Sequence, residues 1–231
     1  MQAPNHLVRA LIVGVAAAMP SAARAGAWSA ENQTIGSIAY GDRETGRFIE
    51  ADYYHERQFA PSLGLVAQTH ADGAAVYDYA GWRGEQLLGL KWSPMRPERG
   101  AVAIQAALTW TYEPSAACEG GGAEIRALTG RAWGPLFVNA EGAYRLRGAG
   151  CDHGRFDLTA GWAAGARWLI LGQAFIDRDL SIGERGRQTE KVQLSATRFT
   201  DAGHGLQAGF RHGLGKTGGE MALVLGWWSA R

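Results

Sequence analysis

Charged and amide side chains recur at every second position along several stretches of this 231-residue chain, a spacing that sets which chemistry they can share. A period of two puts side chains on one face of an extended strand. Glu50, Asp52 and Glu56 form one such series, and Asn139, Glu141, Arg145 and Arg147 another. Lys91, Gln105, Asp157, Gln173, Asp177, Lys191, Gln193 and Arg211 hold equivalent positions elsewhere. Acids and bases facing one another across strands do one of two things. They line a polar pathway and select what passes, or they pair and fill the space between the strands. The acidic run Glu50, Asp52, Glu56, with Asp42 and Glu44 just before it, also carries the oxygen donors that a hard cation takes, although alternating acids equally mark the wet face of a strand.

Reaction chemistry finds fewer parts. A serine hydrolase needs a nucleophile beside a histidine that a third group orients. The histidines beyond the N-terminal segment are His55, His70, His153, His204 and His212, and there is no G-x-S-x-G elbow. Gly215-Lys216-Thr217 lacks the upstream glycines of a phosphate-binding loop. Cys118 and Cys151 have no neighbouring cysteine at metal-ligand spacing, which argues against a zinc site; export permits a disulfide between them, the alternative being two unrelated free thiols. No catalytic residue, metal or cofactor is assigned. A formal net charge of +1 gives no reason to expect a nucleic-acid partner.

The elements that must position these residues read as strands. Residues 1–25 have the order of a secretory signal: a cationic start at Arg9, an apolar run from Ala10 to Met19, and the small-residue site Ala23-Arg24-Ala25 before Gly26. The remainder, 26–231, is expected to be one domain. It contains no apolar run long enough for a membrane helix, and its 33 glycines would be costly inside helices. Apolar and polar residues alternate instead. In one stretch Val102, Ile104, Ala106, Leu108, Trp110 and Tyr112 oppose Ala103, Gln105, Ala107, Thr109 and Thr111. About twelve such segments are expected (ten to twelve), near 32–41, 47–59, 62–71, 85–93, 100–112, 123–133, 136–147, 155–165, 167–180, 189–200, 204–214 and 219–229. Their links alternate between short, as at Ala60-Pro61 and Gly134-Pro135, and longer or richer in glycine and charge, as at Asp72 to Gly84 and Gly148 to Gly154.

With its leader, two-faced strands, sorted links and nine tryptophans, the chain resembles bacterial outer-membrane β-barrel proteins. The final strand, Glu220 to Trp228, adds to that likeness, with the difference that Ser229-Ala230-Arg231 follow the terminal aromatic residue. The resemblance implies an all-β, transmembrane, antiparallel up-and-down barrel in the cell outer membrane, with lipid outside and polar groups inside. It also implies that the last strand is read by the barrel assembly machinery. Glu50, Asp52, Glu56, Lys91, Asn139, Glu141, Arg145, Arg147, Lys191 and Arg211 would line the lumen, and Cys118 and Cys151 would tie two outer loops. The expected role is a narrow porin-like or transporter-like channel, or a binder, for small polar solutes. The alternatives are a structural or surface-interaction barrel with a plugged lumen and, behind it, an outer-membrane lipid hydrolase.

Overall fold

In the computed structural model, residues 32–74, 82–95, 100–112, 119–147, 151–180, 188–200, 203–215 and 219–230 are described. The expected leader and Cys118 lie outside them.

Twelve strands follow one another in chain order: β1 (Gln33–Arg43), β2 (Gly46–Ala60), β3 (Leu63–Ala74), β4 (Arg83–Met95), β5 (Gly100–Tyr112), β6 (Gly120–Trp133), β7 (Leu136–Arg147), β8 (His153–Ala163), β9 (Trp168–Asp179), β10 (Gln188–Phe199), β11 (His204–Leu214) and β12 (Met221–Ala230). Each pairs antiparallel with its sequence neighbours, and β1 pairs with β12, so the sheet closes into a barrel without a free edge. The links after β2, β4, β6, β8 and β10, all short, gather at the end that holds Gln33 and Ala230, while the equally short link between Arg43 and Gly46 lies at the other end. At Gly134, between β6 and β7, the turn takes a φ of 59°, a left-handed conformation that glycine adopts without strain. The link after β3 is shorter than the sequence suggests. β3 continues through Asp72 to Ala74 and β4 begins at Arg83, because Asp72 accepts bonds from Arg83 (2.7 and 2.8 Å) and from Arg43 of β1 (3.2 Å).

Alternation sorts the two faces. Along β5 every residue from Ala101 to Thr111 at odd positions is buried, and every residue from Val102 to Tyr112 at even positions is exposed. The exposed set around the barrel is apolar: Leu88, Leu108, Leu194, Leu206, Leu223 and Leu225 are each more than half accessible. In water so continuous an apolar exterior would drive aggregation, whereas hydrocarbon is its natural solvent. Trp92, Trp133, Trp162, Trp168 and Trp227 mark the short-turn rim, where Arg131 lies over Trp133 (5.3 Å) and Arg198 over Trp168 (5.9 Å). Tyr40, Tyr112 and Tyr144 mark the loop rim. Two aromatic belts at the ends of an apolar band are the exterior of a membrane barrel.

The closing seam has its own lock. Gly36 of β1 is paired with Trp227 of β12, and a Cβ on Gly36 would penetrate the indole ring. Gly36→Val is therefore expected to lower stability by about 1–3 kcal/mol and to shift tryptophan emission, as read by urea unfolding in lipid vesicles.

Candidate functional site: the barrel interior

The inward faces of the strands build an interior of three zones. At the short-turn end, Phe137 of β7, Leu169 and Leu171 of β9, Phe199 of β10 and Trp228 of β12 pack together, with Ile35 and Ala132 against them. The Phe199 and Trp228 rings meet edge to face at 6.3 Å. Trp228 Nε1 donates to Gln207 (3.0 Å), which donates to Ser195 (2.7 Å), so the polar edge of the indole is satisfied. This apolar floor departs from the wholly polar lumen that the sequence suggests. Gly161 makes room for it, since a Cβ there would run into the Phe137 ring.

The middle zone is ionic. Lys91 of β4 reaches Glu56 of β2 at 3.0 Å, and Glu56 also accepts from the Tyr54 hydroxyl (2.5 Å) and from Gln33 (3.3 Å). Arg126 of β6 is the hub of a second cluster. It donates to Glu124 beside it (3.0 Å), to Glu141 of β7 (3.3 Å) and to Gln68 of β3 (3.3 Å). Arg145 holds Glu124 at 2.5 Å and also pairs with Glu85, which takes Arg147 at 3.0 Å. Asn139 is buried just below. Almost every charge here has an opposite charge in contact, the condition under which buried ions are tolerated.

The loop-end zone is wetter. Arg211 of β11 grips Glu50 of β2 through two nitrogens (2.5 and 2.8 Å), while Lys191 of β10 lies 3.5 Å from Glu50 and 2.9 Å from Glu220. Asp52 and His70, paired across β2 and β3, are 2.8 Å apart and remain 48% and 38% accessible. Across the interior, His153 contacts Asp177, and Arg155 donates to Asp157 at 2.8 Å while keeping 41% of its side chain accessible. β2 and β3 stand six places round a ring of twelve from β8 and β9, so these two charged walls face each other.

All ten residues singled out as lumen-lining thus sit on the inner face: Glu50, Lys191 and Arg211 in one cluster, Glu56 and Lys91 in a second, Glu141, Arg145 and Arg147 in a third, Asn139 beneath, and Asp52 on the wet wall. The acidic run does not converge on one site, because Glu56 turns to Lys91 while Glu50 turns to Arg211. Glu50, Asp52 and His70 do offer ligand atoms within 4.8 Å of one another. Arg211 and Lys191 already neutralise Glu50, which leaves little field for a metal cation. His55 and His70 lie on opposite faces of the wall, His55 bonding Thr34 (2.9 Å) on the outside. Sequence reasoning missed Glu124, Arg126, Glu85, Tyr54 and Arg155, although Glu124 and Arg126 fall at the same period of two.

No family model and no curated protein matches this sequence. Solved structures do match in shape. A NanC porin aligns with a TM-score of 0.62 at 8% identity, covering 85% of this chain and 99% of that one. A KdgM porin aligns at 0.60 and 6% identity, covering 86% and 99%. An outer membrane channel from Pseudomonas putida F1 aligns at 0.58 and 13%, covering 87% and 96%. The fold is that of the bacterial outer-membrane β-barrels. At these identities the likeness establishes architecture, and function has to come from the interior itself.

Proposed function

We propose that this chain works in the outer membrane as a narrow, outward-opening channel or binder for small polar solutes. The observation that carries the reading is the pair of opposed, solvent-accessible charged walls, Asp52 with His70 against Arg155 with Asp177. Charges that stay hydrated inside a barrel need water around them, and water is the medium a small polar solute shares. Walls of both signs admit neutral or zwitterionic solutes more readily than a wall of one sign. Support also comes from the porins of similar shape, one of which was solved in complex with disordered oligogalacturonate.

A second reading has its own observation. The Arg126 hub and the Phe137–Leu169–Phe199–Trp228 floor lie in series below the wet zone, as they would in a plugged barrel that acts through its loops. Recordings in planar bilayers separate the two. A channel gives small discrete conductance, with Asp52→Asn shifting ion preference toward anions and Arg155→Gln toward cations. A folded, heat-modifiable protein that stays silent transfers the role to the plugged barrel.

Cys118 and Cys151 complete the outer side of the proposal as a bond joining the segments that precede β6 and β8; Cys151 is buried, and no described cysteine is free. Protease digestion without reductant is expected to yield one linked peptide pair that separates on reduction. The last strand, β12, would serve as the segment that the assembly machinery reads.

A further inference from the structure

Of the described histidines, His55, His204 and His212 take outward positions on their strands, and only His70 of β3 and His153 of β8 turn inward. One sits on each of the two facing walls, β2–β3 and β8–β9, and both make the same contact. His70 Nδ1 lies 2.8 Å from Asp52 of β2, and His153 Nε2 lies against Asp177 of β9. Around them permanent cations hold the acids: Arg211 and Lys191 hold Glu50, Arg43 and Arg83 hold Asp72, Arg145 and Arg147 hold Glu85, and Arg155 holds Asp157. Asp52 and Asp177 have no arginine or lysine at ion-pair distance among the described residues. They keep 48% and 35% of their side chains accessible, more than any of those four acids.

Arginine and lysine stay charged throughout the physiological range, whereas histidine is the side chain that gains its charge between about pH 8 and pH 5. The charge beside the two exposed aspartates therefore follows the medium, and the charge beside their neighbours does not. His70 faces Asp52 and Glu50 of β2, Asp72 of its own strand at 4.0 Å, and Glu85 of β4, its partner in register; Arg83 holds Asp72 beside it. His153 faces Asp177 and Asp179 of β9, Arg145 and Arg147 of β7, and Arg155 of its own strand. Arg155 stands in the field of both Asp52 and Asp177, but its own partner Asp157 offsets it at 2.8 Å. We infer that His70 and His153 set the ion preference of the mouth: neutral, they leave Asp52 and Asp177 to favour cations, and protonated, they cancel both. The inference rests on the channel reading and adds to it the residues that fix which charge passes, since charges lining a pore set its selectivity.

The test records the full chain in planar bilayers under a potassium chloride gradient, with the reversal potential read at about pH 8 and again at about pH 5. The potassium-to-chloride permeability ratio should fall several-fold on acidification. His70→Asn and His153→Asn should each keep about half of that response, because each removes one of two titrating charges, and the double variant should lose it. Asparagine still offers an N–H to the aspartate but takes no charge. His212→Asn, on the outward face, should respond like the wild type. Heat-modifiable migration shows that each variant has formed its barrel. A wild type that conducts with the same ion preference at both pH values overturns this inference and leaves the channel reading standing. A response that persists in the double variant also overturns it and assigns the proton to a carboxylate, with Asp157, paired opposite Glu141, the first to replace. A silent wild type overturns the channel reading and this inference with it.

Discussion

Lys91→Ala is expected to lower the unfolding free energy by about 3–5 kcal/mol, the cost of removing one partner from a buried ion pair. Lys91 and Glu56 are 1% and 3% accessible, and their charged atoms are 3.0 Å apart. The alanine variant takes the Lys91 cation from the buried Glu56 carboxylate, to which Tyr54 at 2.5 Å and Gln33 at 3.3 Å still donate. Those bonds soften the loss without replacing the cation. The double variant Lys91→Met with Glu56→Gln should recover most of it, because the uncompensated charge is then gone and the methionine refills the volume. Urea titration in lipid vesicles measures both. If Lys91→Ala costs less than about 1 kcal/mol, the value of a hydrated surface pair, then water reaches Glu56 and the wet zone extends further down the barrel than the burial of this pair implies.

Arg126→Ala is expected to raise single-channel conductance several-fold and to move ion preference toward cations. The guanidinium projects from β6 to Gln68 on β3 and to Glu141 on β7, so it lies in the way of anything passing the middle zone. Truncation removes both the obstacle and a positive charge. The barrel should survive, because Glu124 keeps Arg145 at 2.5 Å. Arg126→Lys should fall between the two, since an ammonium keeps the charge but cannot fork to three acceptors. Unchanged conductance in Arg126→Ala would place the restriction lower, at the floor of Phe137, Leu169, Leu171, Phe199 and Trp228, where Phe137→Ala becomes the variant to record.

The architecture was legible because lipid outside and water inside impose a strict two-residue period, seen most cleanly from Ala101 to Tyr112. Loop sorting was legible because short and longer links alternate along the chain after the first hairpin, whose link between Arg43 and Gly46 is as short as any turn although the sequence suggests a longer one. What stayed hidden follows from chemistry without a period. Trp168-Leu169-Ile170-Leu171 is apolar at every position, so nothing in it tells the lipid face from the floor. Leu128 follows Glu124 and Arg126 on the inner face and interrupts the polar series that would have revealed Arg126 as a hub. The extension of β3 through Asp72 was hidden because the two arginines that hold it, Arg43 and Arg83, come from two other strands, β1 and β4. Pairing is the least legible property of all. Arg211 meets Glu50 across 161 residues, a contact set by register around a closed ring and by nothing local to either side chain.

Every strand pairing but one joins neighbours in sequence, so eleven hairpin contacts can zip as the chain emerges while the twelfth must bring Gln33 beside Ala230. That single step therefore carries a share of the contact order, and of the loop-closure entropy, far larger than any one hairpin does. Before it, the nascent sheet carries two raw edges of unsatisfied amides and carbonyls, which hydrocarbon does not tolerate. Closure is therefore the committing event of insertion. The interlock of Gly36 with Trp227 sits on the one contact that a half-assembled molecule cannot possess.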